Sequence, residues 1–487
     1  MMNRINRAFD SAARMPARLM LAFLTLCLAF LAIDPWHNWG GDYAYYLGVA
    51  RNIYFDRPLE TGNVGVVAPT GFSWILSKVA PLLEWNFLSI KRLNLVWTLI
   101  YCILVLGLSR YISGTLWSVA FVAISTLNFG IWYYANQILT ELLFLAIVTG
   151  FFLILIGSKS NTIWRSVILL FLLALLACWF RQAALLLLFV PPLVYWDYAD
   201  LRMGPRKALT VGGLLCLSAV SAYLVYNASW FHAAAHSHLA ADEQGFSAKV
   251  LFMLRNYETQ LSALAAGILG DLRSAWWGGA IAIMVLISLA YRIARFKFSV
   301  AIFLFALIVP IAYVPWTPPD GRYWFPLLAV ISFLAIEGLA SSSNYLRLKR
   351  DLNLGYIALS AFIGILALHH LGTANRIFLY DRDRGVFEKH AGDMFYWLHY
   401  NTEWGARVCF FKPRILGYHT NWNNVCLVDQ NSSPEEIEAA LNNHADYVVV
   451  SDQYDEKTWR FFIELDDPRI VYRNERFVIV RRGTQEE

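Results

Sequence analysis

Charged residues are scarce in this chain of 487 residues. Asp, Glu, Lys and Arg together make up 15% of the sequence, whereas an ordinary soluble protein carries about a quarter. Hydrophobic residues reach 58%, and apolar runs long enough to cross a bilayer recur along the first three quarters of the chain. The composition excludes a water-soluble globular enzyme, a disordered chain and a fibrous repeat, and it is typical of a polytopic membrane protein.

Three further absences exclude other classes. The net charge is only +5, and the basic residues form short clusters between apolar runs, so nucleic acid is not an expected partner. The glycines of the C-terminal part are too scattered to form a phosphate-cradling loop, so the sequence predicts no nucleotide-binding site there. The centres of the apolar runs carry no clustered charges, whereas an ion-coupled transporter places ionisable groups near the midplane.

The apolar runs predict eleven membrane spans, and the basic connections between them predict their orientation. Arg4, Arg7, Arg14 and Arg18 precede the first span and place the N-terminus in the cytoplasm. Every second connection is also basic, so the C-terminus lies outside, as do the loops 34–89 and 228–274. Two alternatives are a cleaved signal peptide and a fusion of the fifth and sixth spans. The predicted spans are 18–33, 90–109, 114–133, 138–157, 166–180, 182–197, 208–227, 275–291, 298–315, 324–340 and 354–371.

The last part of the chain has a different character, which predicts two domains. Residues 1–373 form the transmembrane domain, and 374–487 form an extracytoplasmic α/β domain with a partly parallel sheet. Ser433, Pro434 and Glu436 form a capping box that marks a helix start in this domain. The predicted strands are 407–411, 425–428, 446–451 and 477–481.

The six cysteines divide by location. Four of them lie in predicted spans, where cysteine is a small apolar packing residue. Cys409 and Cys426 lie in neighbouring predicted strands, and an oxidising compartment permits a disulfide there. Two buried thiols are the alternative, and no cysteine pair has the spacing of a zinc site.

The first outer loop is the most informative segment. After Gly40 and Gly41, apolar residues at helical spacing predict an amphipathic helix over 43–54 that lies along the membrane interface. Asp42 is then the N-cap or first residue of this helix, and a helix cap is a role that aspartate often fills. A second helix is predicted over 71–84. Trp36 and Trp39 are interpreted mainly as interface anchors, with stacking on a sugar ring as the alternative.

Several short motifs follow one another along the chain. They are Asp42, Ala44, Tyr46, Ala50, Arg51 and Asn52 in the first loop, Thr140 and Glu141, Arg181 and Gln182, and Gly321, Arg322, Tyr323 and Pro326. In this order they resemble the GT-C superfamily of membrane glycosyltransferases, which includes protein O-mannosyltransferases and lipid A aminoarabinose transferases. The resemblance covers nearly the whole chain and implies a GT-C-like helical domain followed by the α/β domain.

Two departures from the family pattern limit what is implied. Many relatives carry a second acidic residue beside the loop aspartate, but Asp42 has Gly41 and Tyr43 as neighbours, so neither a metal nor another cofactor is expected. Where aminoarabinose transferases have Glu-Lys-Pro-Pro, this chain has 67–72 without a lysine. That particular activity is therefore not expected.

His232, His236 and His238 match no recognised metal pattern and are interpreted as part of a solvated loop.

The resemblance assigns roles to the matched residues. Asp42 is the expected catalytic base that removes the proton from an acceptor hydroxyl. Arg322 and Arg181 are expected to meet the leaving phosphate, with snorkelling to the interface as the alternative. Glu141 is expected to hold a sugar hydroxyl or orient an arginine, with a helix cap as the alternative. The remaining expected substrate-binding residues are Tyr323, Tyr46 and Arg51.

The implied function is inverting sugar transfer on the outer face of a bacterial cytoplasmic membrane. The expected donor is a polyprenyl-phosphate-linked sugar, and the acceptor is a lipid-linked glycan such as an O-antigen or another envelope polysaccharide. Membrane lipids are the remaining expected partners. The alternatives are a transporter or flippase of lipid-linked sugars, a non-enzymatic scaffold for envelope assembly, and a polymerase or ligase that uses diphosphate-linked glycans.

Overall fold

The structure is a computed structural model of the chain. It describes residues 2–40, 42–58, 69–112, 114–198, 204–228, 325–345, 352–403, 405–420, 424–454, 456–464 and 466–483. The described part is mostly helical and includes several apolar helices, as the sequence predicts. By length and composition, five of the described helices can cross a membrane.

Each predicted span that the structure describes overlaps at least one helix, and α2 and α3 lie in the first predicted outer loop. The predicted spans 275–291 and 298–315 lie outside the described residues. The helices are α1 (Met2–Ala32), α2 (Asp42–Tyr54), α3 (Gly71–Val79), α4 (Phe87–Arg92), α5 (Asn94–Leu108), α6 (Thr115–Thr126), α7 (Phe129–Ala135), α8 (Glu141–Gly157), α9 (Ile163–Phe180), α10 (Val190–Tyr198), α11 (Gly204–Asn227), α12 (Leu328–Tyr345) and α13 (Leu352–Arg384).

Two predicted spans are less regular than expected. The span 114–133 is divided into α6 and α7, because Asn128 is extended and its side chain accepts a hydrogen bond from the backbone of Gly130 at 2.8 Å. The span 182–197 begins as a 3-10 helix, Gln182–Phe189, before α10. Arg181 is extended between α9 and this helix, so the alternative in which the fifth and sixth spans fuse is wrong.

The chain forms two compact units. The first, here the helical unit, comprises Met1–Ile33, Lys91–Asn136 and Thr140–Asn375; the second, here the sheet unit, comprises Asp34–Ile90, Gln137–Leu139 and Arg376–Glu487. In the helical unit, α5 packs against α8 and α1, and α6 packs against α1 and α12. Buried polar groups join these helices: the Tyr101 hydroxyl donates to the Ser125 carbonyl at 2.8 Å.

The sheet unit contains a five-stranded mixed sheet with the order β2-β1-β3-β5-β4. β1, β2 and β3 are parallel, and β5 pairs antiparallel with both β3 and β4. The four predicted strands are present, and β4 was not predicted from the sequence. The elements are α14 (Lys389–Asn401), β1 (Val408–Phe410), α15 (Pro413–Thr420), β2 (Val425–Leu427), α16 (Pro434–Asn443), β3 (Tyr447–Ser451), α17 (Glu456–Glu464), β4 (Ile470–Arg473) and β5 (Phe477–Arg481).

Two local predictions in the sheet unit are borne out by named contacts. Ser433 and Glu436 form the predicted capping box at the start of α16, with Pro434 as its first residue. Cys409 and Cys426, in register on β1 and β2, form a disulfide. His444 lies close enough to both sulfurs to share a metal ion, but sulfurs bonded to each other are not thiolate ligands.

Trp39 is not an interface anchor, contrary to the prediction. Its side chain is 8% exposed and packs within the sheet unit against Phe395, Phe410, Phe411 and Phe477. Its indole N–H donates to the carbonyl of Arg384 at 2.8 Å. The first loop is therefore an integral part of the core of the sheet unit, which composition alone does not reveal.

Gly385 permits a close backbone contact between this loop and the C-terminal segment. The amide of Val386 donates to the carbonyl of His37 at 2.9 Å. A Cβ atom on Gly385 would collide with the backbone carbonyls of Asp381 and His37. Only glycine fits at this point.

The amphipathic character predicted for α2 is also wrong. Tyr43, Ala44, Tyr45, Tyr46 and Leu47 are consecutive and all buried, so the helix has no single apolar face. The reason is that α2 packs against both α3 and α15. The contribution of α15 comes from a distant part of the sequence and is invisible to local periodicity. The predicted second helix is present as α3 followed by a 3-10 turn, Pro81–Leu83.

Candidate active site

Asp42 is the first residue of α2, one of the two positions that the sequence predicts for it. Its Oδ1 lies 3.6 Å from Nη1 of Arg414 on α15, and the two side chains are 37% and 27% exposed. The positive end of the helix dipole also favours a carboxylate at this position. The structure therefore presents an accessible carboxylate whose charge is balanced by a helix start and a guanidinium.

Arg414 is positioned by the local sequence of α15. Pro413 is the first residue of this helix, where the missing N–H of proline has no helical partner to lose. The guanidinium carbon of Arg414 lies 5.7 Å from the ring centroid of Tyr45. This cation–π contact and the ion pair with Asp42 hold Arg414 at the start of α2.

Directly after Asp42, Tyr43 makes a second link between α2 and α15. Its Oη lies 2.9 Å from Nε2 of His419. Burial, followed by the charge of Arg51, lowers the pKa of His419 to about 3, and burial, followed by Tyr418, raises the pKa of Tyr43. At neutral pH the tyrosine is therefore protonated and donates to an uncharged imidazole, whose proton is on Nδ1.

Arg51, near the other end of α2, lines a cavity of about 370 Å³ together with Phe87, Phe387, Tyr418 and His419. Its guanidinium carbon lies 4.6 Å from the ring centroid of Tyr418 and 5.4 Å from that of Trp85. A cation held against aromatic faces is suited to an anionic or hydroxyl-rich ligand. We name this space the Arg51 cavity.

Tyr46 has a different environment from the one that the resemblance implies. It is 7% exposed and packs edge-on against Phe72 on α3, with ring centroids 5.2 Å apart. It does not line the Arg51 cavity. In the described residues its packing joins α2 to α3.

Arg181 and Glu141 form an ion pair in the helical unit. Glu141 is the first residue of α8, and Nε of Arg181 donates to Oγ1 of Thr140 at 2.9 Å. The Glu141 side chain is 2% exposed, and its Oε2 is buried without a hydrogen-bond partner among the described residues. A buried carboxylate oxygen in this state is an acceptor ready for a ligand hydroxyl.

Lys91 is a buried cation in the helical unit that sequence reasoning missed. It is fully buried, and its ammonium donates to Oδ1 of Asn136 at 2.9 Å. A buried ammonium is costly unless polar groups meet it, and such residues often have a function. The available signal was a lysine directly before an apolar run.

The predicted site residues fall into two groups. Asp42, Tyr46 and Arg51 lie together on α2 of the sheet unit, and Arg181 pairs with Glu141 in the helical unit. Arg322 and Tyr323 lie outside the described residues.

Sequence reasoning also missed three residues of α15: Arg414, Tyr418 and His419. Tyr43 and His419 are 376 residues apart in the chain, so only the tertiary structure brings them together. The available signal was the spacing of an arginine, a tyrosine and a histidine behind Pro413.

No protein-family model matches the sequence, and no curated protein matches it. Among solved structures, the chain is similar to ArnT from Cupriavidus metallidurans. In the undecaprenyl-phosphate-bound structure the TM-score is 0.57 at 12% identity, covering 96% of this chain and 98% of that one. In the apo structure the TM-score is 0.55 at 12% identity, with 96% and 97% covered.

A third structure, the arabinofuranosyltransferase AftD from Mycobacteria, aligns with 96% of this chain and 40% of its own length, at 13% identity and a TM-score of 0.46. The two ArnT structures, matched over nearly their full length, determine the fold. This chain therefore has the fold of these ArnT structures, which agrees with the fold that the resemblance in its sequence implies.

Proposed function

We propose that this protein is an inverting glycosyltransferase that moves a sugar from a polyprenyl-phosphate-linked donor to a lipid-linked glycan or another envelope acceptor. The observation that carries the proposal is the accessible Asp42 carboxylate at the start of α2, paired with Arg414, in a chain with the ArnT fold. A carboxylate so placed serves as a general base toward an acceptor hydroxyl.

The class of donor is inferred from the neighbour and from the charges of this chain. One of the ArnT structures was solved bound to undecaprenyl phosphate. A lipid phosphate lies at the membrane interface while its chain stays in lipid, which explains why a sugar transferase would need apolar helices. Arg181 and Arg322 are the proposed ligands of the donor phosphate, because guanidinium groups match phosphate oxygens, and Arg51 is proposed to bind sugar.

In the proposed reaction, the acceptor hydroxyl loses its proton to the Asp42 carboxylate as its oxygen bonds to the anomeric carbon. The bond from that carbon to the phosphate oxygen breaks, and the polyprenyl phosphate leaves with the electron pair. Negative charge grows on the phosphate, so a fixed guanidinium stabilises the transition state more than the ground state. Attack opposite to the leaving group inverts the anomeric carbon.

The test is Asp42→Asn in the purified full-length protein, assayed with polyprenyl-phosphate sugars and envelope glycolipid acceptors. Loss of the base should lower kcat by about 10²- to 10⁴-fold, while donor binding, measured separately, persists. Asp56→Asn is the matched control, because Asp56 follows α2 with a positive φ of 52°, a conformation that asparagine tolerates well.

Near-normal turnover by the Asp42→Asn variant would remove Asp42 as the base. Movement of intact donor across a liposome membrane without transfer would instead identify a flippase. Transfer by the wild type and the Asp56 variant, but not by the Asp42 variant, supports the proposal.

We further propose a bacterial inner-membrane location, with the N-terminus cytoplasmic and residues 374–487 periplasmic as an α/β domain. Two observations support it. The basic residues alternate between successive connections. The Cys409–Cys426 disulfide requires an oxidising compartment in most bacteria, which is the periplasm rather than the cytoplasm.

A further inference from the structure

The sheet unit contains a second cavity, of about 390 Å³, which no role described above uses. Its walls include Phe387, Phe395, Tyr396, His399, Tyr400 and His419. It shares Phe387 and His419 with the Arg51 cavity. Each volume falls within the range of about 300 to 1,000 Å³ that is common for small-molecule sites.

Tyr396 and Tyr400 form an exposed aromatic platform at this cavity. They are one turn apart on α14, so they share a face of the helix, and their ring centroids lie 4.5 Å apart. The side chains are 65% and 66% exposed. Two large exposed rings that contact each other beside a cavity are unusual on a surface that contacts only water. They offer flat surfaces to a ligand.

The polar groups of this second cavity complement hydroxyl groups, and the adjoining Arg51 cavity adds a cation. Nδ1 of His399 lies 3.0 Å from the carbonyl oxygen of Thr420. A carbonyl only accepts, so Nδ1 carries a proton and donates it to Thr420, which leaves Nε2 for a ligand. Among the described residues, no carboxylate lines either cavity. Among the described residues that line the two cavities, the cationic side chain is Arg51, which lines the cavity named after it.

We propose that these cavities form the binding site for the acceptor glycan, with a sugar ring stacked on Tyr396 and Tyr400 and its polar or anionic substituents directed toward Arg51. The inference rests on the proposed glycosyl transfer and deepens it. Flat aromatic faces accept the apolar C–H face of a pyranose, while His399 and Arg51 supply hydrogen bonds to its hydroxyl, carboxylate or phosphate groups. A lipid tail, by contrast, forms no hydrogen bonds with these polar groups.

Gly392 allows the cavity to be filled without disturbing the fold. It lies on α14 and lines the cavity, and apart from its chain neighbours and the backbone of its own helix, no atom lies within 4 Å of where its Cβ would be. Gly392→Phe should therefore project a ring into the cavity, whereas Gly392→Ala leaves most of the space open and is the matched control.

The experiment measures binding of soluble bacterial-envelope oligosaccharides, neutral and acidic, to the full-length protein in nanodiscs. We expect saturable binding by the wild type, about tenfold weaker binding by Tyr396→Ala/Tyr400→Ala, and loss of binding by Gly392→Phe. Gly392→Ala should bind like the wild type. So should Phe461→Ala, which removes an aromatic side chain that is 44% exposed on α17, outside both cavities.

A kinetic measurement separates this inference from the proposed function. With a polyprenyl-phosphate sugar as donor, the double tyrosine variant should raise KM for the acceptor and leave kcat and KM for the donor unchanged. Normal transfer with an unchanged acceptor KM would overturn the glycan site and keep the transferase. Glycan binding lost in the cavity variants, in a protein that transfers no sugar, would keep the site and overturn the transferase.

Two further outcomes contradict the glycan site. One is that no oligosaccharide binds to the wild-type protein. The other is that undecaprenyl phosphate in the nanodisc, rather than the oligosaccharide, loses affinity in the Gly392→Phe variant, which would assign the cavity to lipid.

Discussion

At the scale of single residues, the Asp42–Arg414 pair is better explained by chemistry than by stability. Both side chains are about a third exposed, and ion pairs in such positions contribute about 0 to 1 kcal/mol to folding. A stronger pair would hold the carboxylate too tightly for the proposed contact with an acceptor hydroxyl. Partial exposure leaves the carboxylate accessible, while Arg414 fixes its direction.

His419 makes a prediction about the dependence of stability on pH. Its pKa is about 3 in the folded protein and about 6.5 in an unfolded chain. Between these values the unfolded state binds more protons, so stability rises with pH in that window and levels off above it. The loss from pH 7.5 to pH 5 should be about 2 kcal/mol from this residue.

The measurement is the midpoint of thermal unfolding at each pH, for the wild type and for His419→Gln. Glutamine keeps a hydrogen-bonding group opposite Tyr43 but does not titrate. The variant should therefore show a smaller fall in midpoint between pH 7.5 and pH 5, whatever its midpoint at neutral pH. Equal falls in the two proteins would show that His419 is not held uncharged by its surroundings.

At the scale of elements, α2 and α15 fix each other's position through two contacts. The first two residues of α2, Asp42 and Tyr43, contact Arg414 and His419 on α15, so a shift of one helix would break both contacts. α15 connects β1 to β2, the strands joined by the disulfide. The position of Arg414 thus depends on how firmly these two strands are held.

The disulfide therefore makes a prediction at this scale. Cys409 and Cys426 are 17 residues apart, and closing a loop of this size stabilises a fold by about 3 kcal/mol. Cys409→Ser/Cys426→Ser should lower the unfolding midpoint and kcat together, because α15 lies within the closed loop. Cys216→Ser, at an exposed position on α11, is the control and should behave like the wild type.

Thiol counting provides the direct check. Under denaturing, non-reducing conditions the wild type should expose four free thiols, from the four cysteines outside the bridge, and two more after reduction. Six thiols without reductant, in protein isolated from the membrane, would contradict the bridge and the oxidising location inferred from it.

At the scale of the whole molecule, the proposed topology is testable by labelling. In a background without the four unpaired cysteines, Glu475→Cys places a thiol at a side chain that is 84% exposed in the sheet unit. A membrane-impermeant maleimide should label it in intact spheroplasts. Lys159→Cys, in a predicted cytoplasmic connection, should react only after lysis. The reverse pattern would contradict both the orientation and the proposed site of transfer.

Much of the fold was predictable because its causes are local. Runs of apolar residues predict membrane helices since each helix satisfies its own backbone hydrogen bonds in lipid. Ser433 and Glu436 predict the start of α16 because a capping box involves only four residues. The strand β4, whose residues are only partly buried, has no such local pattern and was missed.

The candidate site was predictable only in part. Asp42 and Arg51 were identified within one short segment, whereas Arg414, Tyr418 and His419 belong to a distant helix. The interfacial character predicted for α2 and for Trp39 failed for the same reason. Their apolar side chains are buried inside the sheet unit and not in lipid. Burial in a protein core and burial in lipid both favour apolar residues, so the sequence alone does not distinguish them.

The amino-acid sequence by itself determined that this protein has apolar helices suited to a membrane, roughly where they lie, and that Asp42 is at the start of a helix in the first outer loop, because these features depend on hydrophobicity and on hydrogen bonds between near neighbours. Only the tertiary structure decided which cation faces that carboxylate, that His419 is uncharged, and that two aromatic cavities share a wall. Charge compensation, burial and cavity shape arise where distant segments meet, and no periodicity along the chain encodes them directly.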